Sequence, residues 1–254
     1  MTDDGQQLSR RSVLTAGGAA LGGLTLGGAS VAAQSDNDNG NGARSYRVTI
    51  TNLTPGQPFT PPAVALHRPS VEVFAVGNEA NEPTQQIAEN GNLGPLLELI
   101  EETDAIRASA AGESPLVPKD DPGDTGLPYY QELHLEADAS ARYLTFISML
   151  IATNDGFVGL DTVPLPRETN SSVTYYANGY DAGTEQNTEL FEDLVPPAKT
   201  LILGGEPEGT DESDPDIAED GVITPHPGIK GVGNLPPSVY DWDEPAAVLQ
   251  VEQL

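Results

Sequence analysis

Cysteine is missing from this chain of 254 residues. Its absence excludes a disulfide framework, a thiol nucleophile, a zinc–cysteine site and an iron–sulfur cluster. Cations are scarce: 11 Lys and Arg stand against 39 Asp and Glu, for a formal net charge of −28. A polyphosphate chain is repelled by most of such a surface, which excludes strong nucleic-acid binding. Charged residues make up only 20% of the chain, so the imbalance comes from missing Lys and Arg. A carboxylate-rich, lysine-poor surface stays hydrated in concentrated salt, and a halophile's surface is expected, with most of the acids having no individual role. Gly (27) and Pro (22) are plentiful but without a three-residue period, which excludes collagen. The apolar residues, 37% of the chain, fall in runs, and this argues for a packed core rather than disorder. The length suits one all-β domain or two small ones.

The N-terminus reads as an export signal over residues 1–33. Ser9-Arg10-Arg11-Ser12-Val13-Leu14 is a twin-arginine pattern, and an uncharged stretch rich in Gly and Ala follows from Val13 to Ala33. Val31-Ala32-Ala33 places small residues where a signal peptidase cuts. A retained membrane anchor is the competing reading, but the Gly and Ala content makes the stretch weakly hydrophobic. The expectation is therefore a secreted protein with no membrane attachment after cleavage. Residues 34–44 form a polar, glycine-rich linker. Asp36 and Asp38 resemble half a calcium loop, but Gly40 takes the fifth position and no Glu closes it.

The mature domain, residues 45–254, is expected to be an antiparallel β-sandwich with one or two short helices in an inserted loop region. Tyr46 to Thr51 alternates as a strand, and Val64 to Leu66 forms a shorter one before His67. Helical spacing covers residues 84–107, with Leu96, Leu97, Leu99, Ile100 and Ile106 as the apolar face. Strands follow at 131–137, 143–151, 157–160, 172–176, 200–203 and 246–253. The run Tyr143 to Ile151 is nearly all apolar and so belongs at the centre. Residues 204–221 read as a mobile acidic insertion, and 234–240 as irregular. Short strands separated by turn-rich loops point to a sandwich.

Catalytic templates are lacking. The sequence holds no Gly-x-Ser-x-Gly elbow, no His-Glu-x-x-His, no phosphate loop and no Gly-x-Gly-x-x-Gly. His67, His134 and His226 are isolated, and loop-fixing hydrogen bonds are the favoured role for His67 and His226, each with a proline within two residues. A carboxylate pair for glycoside hydrolysis would sit in a cleft with stacking aromatics, and here there is one Trp, Trp242. The sharper feature is a set of acids at strand ends. Asp155 follows the central strand, and Asp181 and Glu185 lie four apart with Gly183 between them. Oxygen ligands from loops at one end of a sandwich are what Ca2+ requires. On spacing alone, the same acids serve equally well as turn caps and surface charge.

Four segments resemble the spondin domain, the module found in F-spondin and mindin and in many bacterial and archaeal secreted proteins. They are Tyr46 to Thr54, Ser148 to Gly159, Tyr180 to Glu185 and Pro225 to Ile229, and the Asn-Asp-x-Phe-Val-Gly and Asp-Ala-Gly-Thr-acid motifs are the specific ones. The resemblance spans roughly residues 45–254, strongest over 143–190. It implies a β-sandwich with bound calcium, whose ligands map onto Asp155, Asp181 and Glu185. Glu136, before the central strand, stands where some members place a further ligand. The family often has Asp at the position of Glu185, and the longer side chain shifts its reach. Asp161 is near these residues and reads as structural. The implied function is a secreted, non-catalytic calcium-binding domain for adhesion or contact with an extracellular or cell-surface ligand. A secreted hydrolase using the same acids, with or without the metal, and a purely structural envelope protein are the alternatives.

Overall fold

The computed structural model describes residues 42–254. The segment read as an export signal, residues 1–33, and most of the expected linker lie outside the described residues. Among the described residues, no helix is long and apolar enough to cross a membrane.

The domain is all-β and antiparallel, sandwich-like, and built from one sheet rolled nearly closed. The strands are β1 (Arg44–Asn52), β2 (Ala63–His67), β3 (Ile106–Ala111), β4 (Tyr130–Ala137), β5 (Tyr143–Met149), β6 (Gly156–Pro164), β7 (Ser172–Asp181), β8 (Thr224–Pro225) and β9 (Ala247–Gln253). Their order is β3-β2-β5-β6-β7-β9-β1-β4, with β8 pairing onto β7. β7 joins the two layers. Its first part, Ser172 to Ala177, pairs with β9, and its last, Asn178 to Asp181, pairs with β6. A strand that changes partners along its length turns a sheet corner without opening an edge.

Alternation places Tyr46, Val48 and Ile50 of β1 and Leu249 and Val251 of β9 in the core, each fully buried. β5 is buried from Leu144 to Met149, as a central strand should be. Each such side chain contributes about 1.5–3 kcal/mol through burial.

Three segments depart from the sequence reading. The helical span over 84–107 is two helices, α1 (Glu82–Asn90) and α2 (Gly94–Glu102), followed by strand β3. Asn81 caps α1 by accepting the N–H of Thr84, and Gly91 ends it in the left-handed region. Ile106 belongs to β3 because its strand pairs along β2, a contact that helical periodicity cannot reveal. Residues 200–203 end helix α3 (Pro197–Leu203) rather than forming a strand, since Pro196-Pro197 starts a helix and Ala198 and Ile202 bury one face. The segment read as irregular over 234–240 ends in a single helical turn, α4 (Pro237–Tyr240).

Candidate functional site

The acids at strand ends meet where β5 and β7 finish and β6 begins. Thr153 shapes the β5–β6 loop: its hydroxyl donates to the carbonyl of Leu150 (2.6 Å) and accepts the N–H of Gly156 (2.9 Å). A Cβ on Gly156 would lie 2.3 Å from the Thr153 Oγ1, so only glycine fits this turn. Gly156 pairs with Asp181 across the β6–β7 ladder, which sets Asp155 beside the end of β7. The N–H of Ala182 then donates to the carbonyl of Asp155 (3.1 Å).

Asp155 is completely buried. Its Oδ2 accepts the backbone N–H groups of Thr184 (2.7 Å) and Glu185 (3.0 Å). Its Oδ1 is buried and has no hydrogen-bond partner. Burial, with the charge of Asp181 added, pushes the Asp155 carboxyl up to about 7. Asp181 is itself buried and accepts the N–H of Gly183 (2.8 Å) on one oxygen and the Asn187 amide (2.5 Å) on the other.

Glu185 is buried too, but its carboxylate turns the other way, toward the insertion, where Oε1 accepts the N–H of Asp214 (3.0 Å). Burial is the main cause that pushes it up to about 8, and the charges of Glu89, Asp155 and Asp214 add to it. The insertion read as mobile over 204–221 is laid against the site. The N–H of Gln186 donates to Ile217 O (2.8 Å), that of Glu219 to Thr184 O (2.9 Å) and that of Gly221 to Gly183 O (2.7 Å). Gly183 permits this: its φ is +72°, and a Cβ would lie 2.7 Å from the N of Val222.

The strand register corrects the grouping of Glu136 with these acids. Glu136 is exposed and faces Ser45 at the start of β1, level with the end of β9 and the start of β7. Asp181 ends β7, roughly 30 Å along the strand at about 3.3 Å per residue. Glu136 lines instead a shallow groove with Ser45, His134 and Leu254. Asp161 is on β6, away from the cluster, in a structural network.

Two residues at this end, Glu89 and Glu189, escaped the sequence reading. Glu89 is buried at the C-terminal turn of α1, where its charge lies within reach of Glu185. An acid in the last turn opposes the helix dipole, and that mismatch was its signal. Glu189 is buried, and its carboxylate accepts the N–H groups of Lys230 (2.7 Å), Gly231 (2.5 Å) and Val232 (2.9 Å). Nothing in its sequence neighbourhood marks it. His226 fixes its own loop as expected: Nδ1 accepts the N–H of Gly228 (2.9 Å). The proton therefore sits on Nε2, which is buried without a partner. Burial outweighs the pull of Asp181 and Glu189 and lowers the ring to about 4, so it is neutral.

Among the described residues, no group of three or more His, Asp or Glu side chains is gathered into a ligating arrangement. Asp155 and Asp181 lie together, and Glu185 adjoins them facing away. No family model and no curated protein matches the chain.

Proposed function

We propose that the chain is a secreted, non-catalytic module of spondin-like type, and that the loop end around Asp155 binds Ca2+. The observation that carries this reading is the Oδ1 of Asp155, a fully buried carboxylate oxygen with no donor, beside a second buried carboxylate, Asp181. Leaving a charged oxygen dry and unpaired costs several kcal/mol, and a divalent cation removes that cost. The donor set suits a hard ion: Asp155 and Asp181 offer carboxylate oxygens, and backbone carbonyls and water complete a shell of six to eight. Glu185 already accepts the Asp214 N–H on Oε1 and stands at the margin of the site. Bound there, the ion ties the β5–β6 loop to the loop after β7 and neutralises like charges. His226 and Glu189 position the neighbouring loop.

A substrate cleft is not part of this reading. Asp155 is wholly enclosed, and the apolar cleft between α2 and the β2–β3 pair, lined by Val64, Leu96, Ile100 and Ala110, includes none of the three acids. Adhesion or contact with an extracellular or cell-surface ligand is what the resemblance to the spondin domain implies. Isothermal titration of chelator-treated protein with Ca2+ tests the reading. One saturable site in the wild type and none in Asp155→Asn is the expected result, and no heat in the wild type overturns it.

A further inference from the structure

β2, β5 and β6 are joined by a polar chain running through the apolar layer. His67 is fully buried and Thr145 nearly so. The His67 Nδ1 is 2.8 Å from the carbonyl oxygen of Arg68. A carbonyl only accepts, so Nδ1 carries a proton. The other ring nitrogen, Nε2, is 2.9 Å from the Thr145 hydroxyl. That hydroxyl has a single proton and two further neighbours. The backbone N–H of Thr162 donates to it (3.2 Å), and Asp161 Oδ1 accepts from it (3.0 Å). With its proton committed to Asp161, the hydroxyl can only accept from His67, and Nε2 carries a proton as well.

We infer that His67 stands inside the fold as an imidazolium, with Asp161 as its counter-ion through the Thr145 hydroxyl. Moving a proton onto Asp161 keeps the same number in the chain but suits the carboxylate less well. Asp161 also accepts the N–H of Val73 (3.1 Å) on Oδ1, and the one proton of the Thr162 hydroxyl lies between Asp161 Oδ2 (2.8 Å) and the carbonyl of Val71 (3.1 Å), the shorter contact being the one to Asp161, which suits the ionised form.

The backbone is shaped around this chain. The β5–β6 register shifts between Leu144 and Phe146, so Thr145 alone faces both Asp161 and Thr162. Thr162 takes φ +52°, which is rare for a β-branched residue. Other ionisable neighbours contribute little charge at the ring. The Tyr143 ring stacks on His67 at 6.3 Å, the Arg68 guanidinium turns to Ser140, and Arg142 gives only its backbone N–H to the His67 carbonyl. On β3, Arg107 is paired with Asp138. The junction is thus a clamp that depends on one proton. Removing that proton sets two acceptors against each other between β2 and β5, and the strands loosen.

The test is a long-range 1H–15N spectrum of the full chain, labelled with 15N-histidine, at pH 7.5. The three rings are assigned through His134→Gln and His226→Gln. The expected result is that both nitrogens of His67 are in the protonated range. Asp161→Asn, and separately Thr145→Val, should return His67 to a ring with one bare nitrogen. A bare nitrogen on His67 in the wild type overturns the inference, as does an imidazolium that persists in both variants. The wild-type spectrum decides even if neither variant folds.

Discussion

At the residue scale, Asp155 shows how burial alone can prepare a site. Its Oδ2 is held by two backbone donors while its Oδ1 has none, so ionisation is opposed at one oxygen and supported at the other. The consequence for pH has a definite sign. Asp155 and Glu185 are both raised in the folded state, to about 7 and about 8. Their protonated forms stabilise the fold fully below the unfolded carboxylate range, and that stability is lost as pH rises through 7 and 8. Metal-free protein is therefore expected to unfold at lower urea at pH 8 than at pH 5, the difference being on the order of 2–4 kcal/mol. Asp155→Asn should flatten that profile and, without metal at pH 8, melt no lower than the wild type. A steeper loss in the variant would contradict this. Glu189 serves a structural end, because its carboxylate satisfies three backbone N–H groups. Glu189→Ala is expected to cost about 2–4 kcal/mol in urea unfolding, and Glu189→Gln less.

At the element scale, most strands were legible because their burial alternates or runs continuously. β1, β4, β5, β7 and β9 fall where the pattern of apolar residues puts them. What could not be read was decided by distant partners. β3 carries Ala and Ser with little apolar signal and exists through its ladder with β2. Leu201 and Ile202 look β-like in isolation, but the two prolines ahead of them set a helix. The acidic insertion looked mobile by composition, yet its backbone hydrogen bonds to Gly183, Thr184 and Gln186 hold it on the site. Native-state hydrogen exchange should find the amides of Gln186, Glu219 and Gly221 protected relative to Gly205. Gly183→Ala, which meets Val222 and a positive φ, should remove that protection and destabilise the domain by about 1–3 kcal/mol. Exchange at the exposed-loop rate in the wild type would refute the docking. Of the candidate site, the neighbouring positions of Asp155 and Asp181 were legible from their places at strand ends, and the turn of Glu185 toward Asp214 was not. Glu136 was grouped with them on the resemblance alone, although it precedes β5 while Asp155 follows it, and the two lie at opposite ends.

At the scale of the whole molecule, the charge of −28 divides into unequal parts. Among the described residues, only four ion pairs form, Arg47–Glu252, Arg107–Asp138, Lys199–Glu208 and Lys230–Asp241, and all are partly exposed. Such pairs contribute little, and the remaining acids repel one another across the surface. Raising KCl is expected to raise the melting temperature steadily through screening, with Asp155→Asn following the same slope as the wild type. Divergent slopes would mean that monovalent salt acts at the Asp155 site. Calcium effects must for this reason be read at constant ionic strength. The most direct measurement is the melting temperature at pH 8 and fixed ionic strength, in excess chelator and in excess Ca2+, for the wild type and Asp155→Asn. A Ca2+-dependent rise in the wild type that Asp155→Asn abolishes is the predicted result; equal melting of the wild type in both conditions would contradict the calcium site.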